Sequence, residues 1–177
     1  MYLKLKKYNT VLVISVVFAT MLCSCAEKDR NQLPANRGFG DRTMVINEQD
    51  SLSVGNTYLS VYSQIYSYSE NITHDLTATV SLRNTSIHDS IYVLSANYYD
   101  TFGSLLKNYV STPIFIKPLE TIHIVINEED KDGGTGANFL FKWATKETTP
   151  EPLFEAVMIS TSGSQGLSFT TLGKRIY

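Results

Sequence analysis

Period-two alternation of apolar and polar residues dominates the chain beyond about residue 50. Leu76, Ala78, Val80 and Leu82 share one parity, while Thr77, Thr79, Ser81 and Arg83 share the other. Ile122, Ile124 and Ile126 repeat the pattern, as do Phe139, Phe141 and Trp143. Successive strand side chains point to opposite faces, so each set predicts a half-buried strand with its apolar face inward. Further strands are predicted at Tyr58–Tyr68, Ile91–Tyr99, Ser104–Tyr109, Ile114–Ile116, Leu153–Thr161 and Gly166–Thr171, all rich in Tyr, Val, Ile, Phe and Thr. Asn84-Thr85-Ser86, Asp100-Thr101-Phe102-Gly103 and Ser162-Gly163-Ser164 supply turn chemistry between them. No stretch of helical period follows the first two dozen residues. Short strands separated by turns predict an all-β fold, an antiparallel immunoglobulin-like β-sandwich over 51–177.

The start of the chain has a different pattern. Lys4, Lys6 and Lys7 precede a predominantly apolar run from Val11 to Met21. As helix that run would span about 16 Å, roughly half the hydrocarbon core of a bilayer. It has the proportions of a secretory signal rather than of a membrane span. Leu22-Cys23-Ser24-Cys25 follows and resembles the site read by bacterial lipoprotein signal peptidase, with Cys25 as the residue that takes the lipid. The expected organisation is a signal peptide over 1–24, a lipidated cysteine and polar tether over 25–50, and the β domain beyond. Pro34, Gly38, Gly40 and sparse hydrophobicity argue for a tether, which would hold the domain roughly 25–30 Å from the membrane. The alternative there is an edge strand at Met44–Asn47. Ala26, where enteric inner-membrane lipoproteins carry aspartate, points to the outer membrane, with the periplasmic or surface face left open.

Composition narrows the function. Cleavage before Cys25 leaves 153 of the 177 residues and removes three of the 15 basic residues but none of the 17 acidic ones, moving the net charge from −2 to −5. An acidic body without a Lys/Arg cluster disfavours nucleic acid and anionic lipid as partners. With Cys23 lost and Cys25 acylated, no thiol remains for a disulfide, a thiolate metal site or a nucleophile.

The densest unusual stretch is Asn127–Phe139, with four carboxylates and three glycines between two strands. Its candidate binding residues are Asp130, Asp132, Gly133, Gly134, Gly136 and Asn138. Glu128-x-Asp130-x-Asp132-Gly133 resembles the start of a calcium loop, but Phe139 stands where such a loop places its bidentate glutamate. A structured turn with solvated acids, and a loop that binds through backbone amides, are the other readings. Tyr58, Tyr62, Tyr66 and Tyr68 share a parity opposite to Leu59, Val61 and Ile65, so one of those faces must be core. His74, His88 and His123 are expected to be satisfied or solvated, with His123 facing outward. Gly163-Ser164-Gln165-Gly166 is not a nucleophile elbow, and no phosphate loop or paired-carboxylate signature stands out. No cofactor and no catalytic residue is expected.

Several segments together resemble a family of bacterial lipoproteins and secreted proteins, DUF3124-like, known only as a domain of unknown function. They are Val61–Tyr66, Leu76–Thr85, Tyr98-Tyr99-Asp100 with Gly103, Gly133–Phe139, Glu155–Ile159 and Gln165–Phe169. The resemblance implies a compact β domain with an envelope address. It implies no activity, so no functional residue is carried over. The expected function is that of a non-catalytic, lipid-anchored envelope protein binding another envelope protein or a glycan. The alternatives are a small-ligand or calcium module centred on loop 127–139, and an uncharacterised hydrolase.

Overall fold

Strict alternation produces strands where it was read. In a computed structural model, which describes residues 39–46, 51–161 and 166–176, β4 (Thr77–Arg83), β5 (Ile91–Tyr99), β7 (Ile114–Ile116) and β8 (Thr121–Ile126) lie at the expected places. So do β6 (Leu105–Val110), β9 (Asn138–Lys146), β10 (Leu153–Ser160) and β11 (Leu167–Leu172). The signal segment, Cys25, most of the tether and the Ser162-Gly163-Ser164 turn lie outside the described residues. Among those described, no helix is long and apolar enough to cross a membrane.

Ten of the described strands form two antiparallel sheets, and the other two a separate hairpin. One has the order β12–β1–β9–β5–β6, in which β1 is Leu52–Ser60 and β12 is Lys174–Arg175. β6 pairs with the Ala96–Tyr99 half of β5 and β7 with its Ile91–Val93 half. The second sheet has the order β11–β10–β4–β8. Adjacent β4/β8 in one sheet and β5/β9 in the other match the B–E and C–F neighbours of immunoglobulin-like sandwiches. The expected all-β sandwich is what the chain forms.

The inward faces close a single core. Ala78, Val80, Leu82, Ile124, Ile126, Ala156 and Met158 come from the second sheet; Leu59, Ile91, Val93, Phe139 and Phe141 come from the first. Aromatic rings run through it: Tyr98 stacks on Phe139 at 4.9 Å and Phe139 on Phe141 at 5.3 Å. Trp143 Nε1 donates to Thr57 Oγ1 at 2.9 Å, which satisfies the buried indole.

Two sequence expectations need correction. Tyr58–Tyr68 is two strands, because the chain leaves the sheet at Val61–Ser63: Val61 N donates to Ala137 O, and Ser63 O accepts from Leu76 N, each at 2.9 Å. β2 (Gln64–Ser67) then pairs with β3 (Ser69–Asp75) in a separate hairpin. β3 lacks apolar alternation and is largely exposed, so pairing with β2 defines it. The first half of β1 was also missed. Gly55 looks like a strand breaker, but the Trp143 ring fills the space of its side chain: an added Cβ would lie 2.3 Å from Cζ2.

Residues 39–46, inside the stretch read as tether, are docked on the body. Phe39 packs against the core, Thr43 bridges Ile114, and Met44 N donates to Pro113 O at 2.9 Å. Arg42 grips Glu120 with both guanidinium nitrogens at 2.7 and 2.8 Å, and Glu120 Oε2 also accepts from Lys117 N. This strap covers the outer edge of β7, an edge left open by β5. Of the edge-strand reading at Met44–Asn47, the described residues Met44–Ile46 form no strand, and an isolated bridge stands just before them at Thr43; Asn47 is outside the described residues.

Candidate functional site

The strap and the acidic loop sit at opposite ends of the sandwich. At the strap end, Arg42 holds Glu120, Asn84 N donates to Glu120 O, and Lys146 pairs with Asp89 at 2.6 Å. At the other end gather the 127–137 loop, the 100–103 turn and the β2–β3 hairpin, because Tyr99, Asn138 and Ser60 are register partners there. Nine-residue strands such as β5 and β9 separate the two ends by about 30 Å.

The loop is built against side chains of its neighbours. Thr101 is the pin: its Oγ1 donates to Gly133 O at 2.9 Å and accepts from Gly136 N at 2.9 Å, while its own N donates to Gly133 O. Ser63 Oγ donates to Gly134 O at 3.2 Å from the hairpin side. Lys131 pairs with Asp75 of β3 at 2.6 Å, and Gln64 Nε2 donates to the other oxygen of that carboxylate at 2.7 Å. These contacts hold the Asp75 carboxyl below its usual range, the lysine more than the glutamine, and Asp75 in turn raises Lys131.

The three glycines follow from this packing. A Cβ on Gly133 would sit 2.0 Å from the Tyr98 hydroxyl oxygen. Gly134 has φ +70°, and a Cβ there would lie 2.8 Å from Thr101 Oγ1; one on Gly136 would lie 3.1 Å from Thr101 Cγ2. The close approach that glycine permits is to the protein's own side chains. Tyr98 is buried beneath the loop, and burial pushes its hydroxyl up to about 12. Ser63 Oγ is near enough to temper that shift, yet the hydroxyl has no hydrogen bond of good geometry, since Gly133 packs directly over it. Tyr109 is raised by burial and by Asp130.

Of the carboxylates read as candidates, Asp130 Oδ1 accepts from Asp132 N at 3.3 Å, so the two share one local turn. Asp130 is half-buried and Asp132 exposed. Asn138 belongs to β9, in the ladder between Ser60 and Tyr99, and not to that turn. Among the described residues no group of three or more His, Cys, Asp or Glu side chains is placed to hold a metal ion. Cys25 lies outside the described residues.

Sequence reasoning missed Thr101, Ser63 and Asp75, whose roles arise from contacts with residues far along the chain. Parity alone did not choose between the two faces of the tyrosine row: Leu59 and Val61 prove to be core, whereas Tyr66 and Tyr68 are 61% and 97% exposed. Tyr62 packs edge-on against Phe169 at 5.7 Å. Phe102, at the tip of the Thr101 turn, is 90% exposed.

On the outer face of the second sheet, His123 points outward as its parity predicted, and its Nδ1 lies 3.1 Å from Ser81 Oγ. Glu155 flanks Ser81 on the other side but is paired with Arg83 at 2.6 Å. A catalytic triad needs the carboxylate on the histidine, with an accessible serine. Here serine stands between the two and is 3% exposed. The row is a cross-strand polar ladder.

An antiparallel sandwich with a loop-built end defines the class of this protein. Within that class, the chain belongs to the family described as protein of unknown function (DUF3124), which matches residues 54–176. No curated protein matches it. Among solved structures, one described as "Crystal Structure of Thermotoga maritima 1070" is similar over 68% of this chain and 92% of its own, with 8% identity and a TM-score of 0.44, too distant to bear on fold or function.

Proposed function

We propose that this chain is a lipid-anchored bacterial envelope protein, non-catalytic, that binds another envelope component with the loop-bearing end of its sandwich. The observation that carries the reading is the position of the strap. The Arg42–Glu120 pair fixes residues 39–46 to the end opposite the acidic loop. Cys25 lies upstream of the strap in the chain, so an anchor there joins the body by way of the end opposite the loops. The Leu22-Cys23-Ser24-Cys25 stretch supports the anchor, and multiple acyl chains at Cys25 give lasting attachment.

Growth on a labelled fatty acid tests the anchor. The wild-type chain takes up label and loses its first 24 residues, whereas Cys25→Ser remains unlabelled and uncleaved. A wild-type chain without label, or with those residues retained, overturns the reading. For the binding end, a photo-crosslinking amino acid at Phe102 captures a reproducible neighbour in intact cells, and one at Ile87, in a strap-end loop, does not. Equal yields at both positions count against the proposed end.

A further inference from the structure

The loop-bearing end carries two features that its internal contacts leave unused. Loop 127–137 has four carboxylates, Glu128, Glu129, Asp130 and Asp132, against one ammonium, Lys131, which is committed to Asp75. On either side of that acidic band stands an exposed aromatic ring. Tyr66 shares its strand face with Gln64, across from Thr73 and Asp75, so it stands beside the Asp75–Lys131 pair. Phe102 follows Thr101, which is bonded to Gly133 and Gly136. These contacts tie hairpin, loop and turn into one surface, with Tyr66 and Phe102 as its margins and Tyr68 at the hairpin tip.

We propose that this surface docks a Lys- and Arg-rich polypeptide segment of an envelope partner. The proposal deepens the functional reading above by naming the chemistry of its partner. Guanidinium and ammonium groups are attracted both by carboxylates and by the faces of aromatic rings. The protein shows the geometry a few residues away, where Lys107 Nζ lies 4.4 Å from the centroid of Tyr109. A neutral glycan would use the rings but leave the carboxylate charge unanswered. Anionic glycans, lipids and a second copy of the same end would meet like charge. Charge complementarity therefore selects a cationic peptide segment.

The test uses the full acylated chain in neutral detergent and fluorescence anisotropy of a dye-labelled peptide carrying six Lys and Arg residues. A matched peptide with Gln at those positions, and a neutral cell-wall oligosaccharide, serve as competing probes. The basic peptide binds at least about tenfold more tightly than the Gln peptide, and raising salt from about 50 to about 300 mM erases most of that preference. Asp130→Asn with Asp132→Asn, and separately Tyr66→Ala with Phe102→Ala, each weaken it several-fold, while Ile87→Ala at the far end changes nothing. All three variants keep the wild-type melting temperature. Equal affinity for the two peptides, indifference to both double variants, or preference for the oligosaccharide overturns the inference. If that happens while Cys25 is labelled and Phe102 still crosslinks in cells, the envelope reading stands and only the partner chemistry falls. Absence of label removes the envelope reading but leaves the peptide result to be judged by itself.

Discussion

Phe141 and Phe154 reach toward each other from opposite sheets and stack with centroids 4.2 Å apart and planes 5° from parallel. Both are buried, and they continue the ring column of Tyr98 and Phe139 into the second sheet. Phe154→Ala opens a cavity at this seam and is expected to cost about 3–5 kcal/mol of unfolding free energy. Urea titration checks it; a loss below about 1 kcal/mol would mean that the sheets are joined elsewhere.

Gly133 and its acidic neighbours separate cleanly by mutation. Gly133→Ala drives a methyl into the Tyr98 hydroxyl and destabilises by about 1–3 kcal/mol. Asp132→Asn leaves stability within about 0.5 kcal/mol, because its carboxylate is exposed. Thermal melts of the two variants read this difference directly.

The Trp143 indole has one N–H, and it donates to Thr57 inside the core. Thr57→Val strands the indole N–H and costs about 1–3 kcal/mol. Adding Trp143→Phe to that variant removes the stranded donor, so the double change costs less than the sum of the two single ones. Strict additivity in denaturant titration contradicts the pairing.

Acid weakens the strap. The Arg42 hydrogen bond, above all, holds the Glu120 carboxyl below the usual carboxylate range. A carboxyl whose pKa falls on folding contributes stability that is fully present above its unfolded value and disappears as pH drops through the folded one. Wild type therefore melts above Glu120→Gln at neutral pH, by the roughly 1 kcal/mol of a half-exposed ion pair. The gap closes as pH falls from the ordinary carboxylate range down through the lowered folded value, where Glu120 takes up its proton. A gap that persists at low pH removes the carboxylate as its cause.

β4, β5 and β8 were legible because their two faces meet different surroundings, so Leu76–Arg83 and Ile122–Ile126 alternate strictly. β3 was not, since Ser69–Asp75 has little apolar surface to hide and owes its form to a partner strand. The early part of β1 was obscured by Gly55, whose reason is an indole on β9. The candidate loop was legible as unusual but not as to cause. Three closely spaced glycines flag close approach; that Tyr98 and Thr101 do the approaching depends on a fold the local pattern does not contain. Likewise the Ser81–His123 contact follows from strand order, which parity leaves undetermined.

Thr101 has a thermodynamic consequence. By clasping Gly133 and Gly136 it has already removed much of the conformational freedom of the glycine-rich part of the loop. Ordering a free residue costs about 1–2 kcal/mol, so a ligand meeting a pre-set backbone forgoes much of that penalty. Thr101→Ala would then slow association and loosen the complex without altering any group the ligand touches.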